Sequence, residues 1–74
     1  MMQAHFLYEI PAIVEDDWND ITVPAMYYLD QMDNLRYASD RFAKSVIINF
    51  LSVAVDWHGK IAESVKSELR TMIR

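Results

Sequence analysis

The chain has 74 residues, no cysteine, one glycine and a formal net charge of −4 at pH 7. Its length allows one domain at most, spanning residues 1–74, and the lack of cysteine excludes disulfide frameworks, thiolate zinc sites and thiol catalysis. Hydrophobic residues make up 53% and charged residues 24% of the chain, which excludes a disordered tail.

Charge is distributed unevenly along the chain. Residues 1–41 hold eight carboxylates and two arginines, a balance of −6, whereas residues 42–74 hold three carboxylates and five cationic side chains, a balance of +2. Because binding a phosphate backbone requires clustered Lys and Arg, direct nucleic-acid binding is not expected. The longest nearly apolar run, Ser45–Val55, is shorter than the roughly 20 residues of a transmembrane helix, and the N-terminus has no basic leader. We therefore expect a cytoplasmic protein that does not bind membranes.

The first predicted element is an extended segment or strand over residues 3–14. This segment is rich in β-branched and aromatic residues, and Pro11 marks an edge, a bend or its end. A single strand is not stable without a partner. It could pair with residues 21–23, lie against the helices as an arm, or pair with another chain.

An acidic turn and a helix follow. The polar residues Glu15 to Asp20 favour a turn or a single helical turn, since Asp and Asn compete for backbone hydrogen bonds. Pro24 suits the first position of a helix. The pattern predicts a helix near residues 24–37, with the likeliest break at Asp33-Asn34.

The second half of the chain predicts one long helix, from about residue 40 to residue 73. A polar stripe keeps helical spacing from Ser45 to Arg74, and phase on both sides of Gly59 outweighs the possibility of a helix end at that glycine. A helix of about 45 Å would overhang a compact domain of roughly 30 Å. The exposed part of its apolar ridge therefore predicts a homodimer. The expected dimer interface consists of Phe50, Val53, Trp57, Ile61, Val65 and Leu69.

These elements together predict an α+β, mostly α fold: a short N-terminal strand followed by two helices, the second of them long. An all-α fold is the alternative.

The sequence contains no recognisable catalytic, phosphate-binding or metal-binding motif. A single glycine excludes a phosphate-binding loop, the serines have no adjacent base, and His5 and His58 are far apart without nearby ligands. We expect neither an enzyme nor a bound metal or other cofactor.

Tyrosine, tryptophan and carboxylates are concentrated in the first half, a composition suited to protein interfaces. The expected partner-binding residues are Glu15, Asp16, Asp17, Trp18, Asp20, Tyr27, Tyr28, Asp30 and Asp33. The carboxylates could imitate spaced phosphates, or they could only keep the surface soluble while the aromatic residues make the contact.

The leading functional hypothesis is a small acidic, non-enzymatic protein that binds and regulates or inhibits a larger protein. Such chains are typical of phage and other mobile elements, where they block a host nucleic-acid-handling enzyme by covering its basic groove. This comparison rests only on the general type of protein, a short acidic chain, and not on a shared motif. The alternative is a structural subunit that completes a heteromeric helical assembly. A nucleic-acid-binding regulator that uses the C-terminal cations is the weakest hypothesis, because Glu63 and Glu68 interrupt them.

Overall fold

All regular secondary structure in the described part of the chain is helical. The computed structural model describes residues 7–35 and 41–73. A 3₁₀ turn, Leu7–Glu9, leads into α1 (Ile10–Asp17), and α2 (Val23–Asp33), α3 (Arg41–Val53) and α4 (Lys60–Met72) follow. The predicted α+β class is therefore wrong, and the all-α alternative fits.

The N-terminal strand is the first correction. Residues 3–6 of the predicted strand lie outside the described residues, and residues 7–14 are helical. A helix satisfies its own backbone hydrogen bonds, whereas a strand needs a partner. Pro11 lies in the first turn of α1, where a missing N–H leaves no hydrogen bond unmade. Side chains spaced three or four residues apart form the buried face: Leu7, Ile10, Val14 and Trp18.

The predicted helix near residues 24–37 is confirmed over Val23–Asp33, and residues 36 and 37 lie outside the described residues. Thr22 caps α2, since its hydroxyl accepts a hydrogen bond from the Ala25 backbone N–H at 3.3 Å. Pro24 occupies the first turn. The buried side of α2 comprises Ala25, Leu29 and Met32.

The long helix is the second correction. Residue 40 lies outside the described residues, and the remainder of the predicted helix is two helices, because α3 ends at Val53 and α4 begins at Lys60. Gly59 precedes α4 with φ +117° and ψ 179°, a conformation that side-chain-bearing residues rarely adopt. The glycine is therefore where the break is made, although it stands at the start of α4 rather than at the end of α3.

The bend lets the chain cover its own apolar ridge. The radius of gyration is 11.0 Å and the extents are 30 × 28 × 18 Å, so the predicted overhang is wrong for the described residues. Apolar residues on both sides of the bend, including Val46, Phe50, Trp57, Val65 and Leu69, are at most 3% exposed. A continuous pattern of burial thus arises from two helices that share one core.

The packing order of the helices determines the surface. α2 packs against α3, α3 against α4, and α1 against both α2 and α4. α1 therefore has a groove on each side.

Candidate protein-interaction surface

Two stacked tryptophans join α1 to the turn before α4. The rings of Trp18 and Trp57 are 5.8 Å apart between centroids and 9° from parallel, and Phe50 meets Trp57 edge to face at 6.5 Å. The Trp57 indole N–H donates to the Asp17 carboxylate at 2.8 Å. The Trp57 carbonyl accepts from the buried Lys66 ammonium at 2.7 Å. We call these five residues the tryptophan junction; both the indole N–H and the backbone carbonyl of Trp57 are hydrogen-bonded there.

A groove of about 270 Å³ separates α1 from α2. Its lining combines four apolar residues with three carboxylates. We call it the α1–α2 groove, and we use floor for its apolar residues, Pro11, Ala12, Met26 and Leu29, and rim for its carboxylates, Glu15, Asp30 and Asp33. Leu29 is 1% exposed, whereas Met26 is 54% exposed. The groove thus presents apolar atoms to solvent between carboxylates.

Two further depressions continue this surface around α1. One, of about 390 Å³, lies between α1 and α4 and is lined by Ala12, Ile13, Asp16, Asp17 and Ile61. The other, of about 400 Å³, borders the tryptophan junction and is lined by Asp17, Trp18, Asn19, Asp20, Thr22, Asp56, Trp57 and His58. Ala12 lines both of the first two depressions and Asp17 lines both of the last two, so neighbouring depressions share a residue of α1.

Seven exposed carboxylates line these depressions, and we call them the acidic face: Glu15, Asp16, Asp17, Asp20, Asp30, Asp33 and Asp56. Among the side chains that the structure describes, no lysine or arginine lines any of the three depressions. Within the described residues, no ion pair reaches the three rim carboxylates of the α1–α2 groove. Among the described residues, no ion pair therefore offsets the negative charge of this rim, whereas Asp17 accepts the hydrogen bond from the Trp57 indole.

Helix geometry strengthens this charge. Glu15, Asp16 and Asp17 occupy the last turn of α1, and Asp30 and Asp33 lie at the end of α2. The C-terminus of a helix carries the negative end of its dipole, so a carboxylate there is unfavourable by roughly 0.3–1 kcal/mol when exposed. Asp17 has a compensating contact in the hydrogen bond from Trp57, whereas no ion pair among the described residues offsets the cost at Glu15, Asp30 and Asp33.

Six of the predicted partner-binding residues lie together on the acidic face: Glu15, Asp16, Asp17, Asp20, Asp30 and Asp33. Tyr27 is 60% exposed and meets the half-buried Tyr28 edge to face at 5.3 Å. Trp18 is only 6% exposed, because it stacks on Trp57. The structure thus groups the acids but places Trp18 in the core.

The predicted dimer residues lie mostly inside the chain. Phe50, Trp57, Val65 and Leu69 are at most 3% exposed within the chain's own core. Val53 is half-buried, and Ile61 is 46% exposed beside α1. A homodimer stays a prediction, but one made by this fold would need other surfaces than those four side chains.

Sequence reasoning missed the apolar floor of the α1–α2 groove and the acid Asp56. Met26, Asp30 and Asp33 follow helical spacing, so their shared face on α2 was readable. Pro11, Ala12 and Glu15 share a face only if this segment is a helix. The strand prediction concealed that half of the groove.

Comparison with known proteins yields no match to a family model, a curated protein or a solved structure. Among the helices of residues 7–35 and 41–73, none is long and apolar enough to cross a membrane. In the same ranges, no group of three or more His, Asp or Glu side chains is arranged to hold a metal ion. The physical character of the acidic face is therefore the basis for a functional proposal.

Proposed function

We propose that this chain is a small, non-enzymatic protein that binds a basic surface of a larger protein through the acidic face, and so blocks nucleic-acid binding there. The observation that supports this proposal is the acidic face, whose seven exposed carboxylates line three neighbouring depressions where the described residues include no lysine or arginine. Five of the seven, all except Asp20 and Asp56, lie in the C-terminal turns of α1 and α2, so the helix dipoles add to the same field.

A basic groove that binds nucleic acid is the chemically matched target. Such grooves hold phosphates with Lys and Arg, which are also the partners that exposed carboxylates attract. Complementary fields accelerate encounter and make it sensitive to salt. A compact body of 30 × 28 × 18 Å is large enough to cover a groove that accommodates a duplex.

The test is competition against labelled nucleic acid on a panel of purified nucleases and polymerases. Fluorescence anisotropy of a labelled DNA duplex or RNA hairpin is measured as the chain is added, at low and high salt. We expect the chain to displace nucleic acid from at least one enzyme, with weaker displacement at high salt. The chain alone should leave the anisotropy of the free nucleic acid unchanged.

A pair of charge-matched variants identifies the surface. Asp30→Asn with Asp33→Asn removes two charges from the acidic face, and Glu9→Gln with Glu63→Gln removes two elsewhere. We expect the first pair to weaken displacement about tenfold, roughly 1.4 kcal/mol, and the second to have a small effect. Equal losses in both pairs, or no displacement by the unmodified chain from any enzyme, would contradict the proposal.

The structural-subunit hypothesis has an observation of its own. Phe42, Ile48 and Val55, on α3 and in the turn that follows it, are 55%, 52% and 63% exposed. A larger helical assembly could cover these side chains. If that is their role, replacing Ile48 by Ser should release the chain from its native complex without affecting displacement of nucleic acid, as co-purification would show.

A further inference from the structure

The α1–α2 groove combines an apolar floor with an acidic rim, and this combination selects a particular kind of occupant. We infer that the groove binds an amphipathic helix of the target, with one or two apolar side chains on the floor and Lys or Arg beside the rim. This inference rests on the proposed function and specifies which segment of the larger protein is held.

The size of the groove favours side chains over a small molecule. Its volume of about 270 Å³ is below the roughly 300–1,000 Å³ of pockets that enclose drug-sized ligands. One or two aliphatic side chains are a suitable filling. Met26, which is 54% exposed, contributes a flexible, polarizable thioether of the kind that adapts to different apolar partners.

The shape of the groove favours a helix. α1 and α2 pack against each other, and the groove runs between them. Laying the apolar face of an amphipathic helix in a groove between helices is a recurrent mode of recognition, with anchors at positions i, i+3 or i+4, and i+7. A third helix in this position would extend the packing that α1 and α2 already make.

Charge complementarity indicates that the bound helix carries cationic side chains. Glu15 lies on the α1 wall, and Asp30 and Asp33 lie on the α2 wall. Cationic side chains on either side of the apolar anchors would therefore meet a carboxylate on each wall. An acidic or neutral helix would leave the three carboxylates and two helix ends uncompensated while losing water contact, which is unfavourable.

Synthetic peptides provide the probe. The first is a Leu/Lys peptide of about 15 residues whose leucines recur at helical spacing. The second has the same composition with the leucines scattered around the helix, and the third is oligolysine of the same length. Binding to the unmodified chain is measured by fluorescence anisotropy, and the contact residues are mapped by amide chemical-shift changes.

Two matched pairs of variants locate the contact. Met26→Ser removes an apolar side chain from the groove, and Ile48→Ser removes one of similar exposure, 52% against 54%, from α3. Neutralising Glu15, Asp30 and Asp33 to their amides removes three rim charges, and the same change at Asp16, Asp20 and Asp56 removes three from the rest of the acidic face. Circular dichroism verifies that each variant is folded.

We expect the amphipathic peptide to bind about tenfold more tightly than the scattered one, with shift changes at the α1–α2 groove. Met26→Ser and the rim triple should each lower its affinity about tenfold, and their controls less than threefold. Equal binding of all three peptides would overturn the helix inference while leaving an acidic protein-binding surface intact. Absence of binding by any basic peptide at low salt would overturn the proposed function as well.

Discussion

The tryptophan junction and the α1–α2 groove both include residues of α1, but their polar groups have different surroundings. At the junction, the Trp57 indole, the Asp17 carboxylate and the Lys66 ammonium are hydrogen-bonded to one another or to the backbone at 2.7–2.8 Å. Around the groove, Glu15, Asp30 and Asp33 are exposed, and the lining that the structure describes includes no cationic side chain.

This difference suggests that the junction contributes to the stability of the fold and the groove to binding. A buried polar group must be paired, because leaving it unpaired costs about 1–3 kcal/mol. An exposed carboxylate has no such requirement, so it can be placed where it is slightly unfavourable in the free protein and favourable in a complex. The junction should therefore respond to substitution through folding, and the groove through association.

Trp57→Ala should have the largest effect. Trp57 is 2% exposed and contacts Trp18, Phe50 and Asp17. Truncation of a buried aromatic side chain costs about 3–5 kcal/mol, which is a large part of the stability of a small domain. Urea unfolding followed by circular dichroism should show a largely unfolded variant. Ile61→Ala, at a 46% exposed position, is the control, and a similar loss there would remove the contrast between core and surface.

Gly59→Ala should cause the next largest loss of stability. The φ of +117° is rarely adopted by a residue with a Cβ, and nothing lies within 4 Å of the position a Cβ would take. The cost is therefore one of backbone conformation, about 1–3 kcal/mol. Ser64→Ala, at an exposed position in α4, should change stability by less than about 0.5 kcal/mol. Equal midpoints for the two variants in urea would mean that the turn does not require this dihedral angle.

Lys66→Met tests the buried hydrogen bond of the junction. Methionine keeps most of the side-chain length but leaves the Trp57 carbonyl without its 2.7 Å donor. We expect a loss of about 1 kcal/mol in the free energy of unfolding. Lys60→Met, at an exposed position, should leave the unfolding midpoint nearly unchanged. An unaltered midpoint for Lys66→Met would show that this contact contributes nothing net.

Neutralising the groove rim should have the smallest effect on stability, and of opposite sign. Asp30→Asn and Asp33→Asn remove charge from the C-terminal part of α2, so each should stabilise by on the order of 0.3 kcal/mol at low salt. Glu63→Gln, in the first turn of α4, should destabilise by a similar amount. Thermal unfolding at two salt concentrations measures both signs. Destabilisation by the rim variants would indicate that these acids serve the fold.

The sequence was informative where local chemistry decides structure. Pro24 predicted the start of α2 because a proline acts within one turn, whereas the cap at Thr22 was found only in the structure. The clustering of carboxylates before Asp20 and at Asp30 and Asp33 was also readable. The sequence did not show that these carboxylates lie on one face, because that arrangement requires α1 to be a helix packed against α2.

The predictions of an N-terminal strand and of one long helix were wrong because more than one structure fits the same local sequence pattern. Leu7, Ile10 and Val14 have helical spacing inside a segment with strand-like composition, and a strand without a partner loses to a helix. The apolar ridge from Phe50 to Leu69 fits a continuous helix as well as two helices that face one core. Only burial of the ridge by the rest of the chain distinguishes these possibilities.

The sequence by itself therefore determined the acidic first half and the start of α2, since these depend on composition and on a proline that acts within one turn. Tertiary structure decided the break before α4, the burial of Trp18 against Trp57 and the apolar floor of the α1–α2 groove. The physical reason is that burial is a property of the whole chain. A chain with such an apolar ridge forms two helices when burying the ridge between them stabilises the fold more than one unbroken helix would.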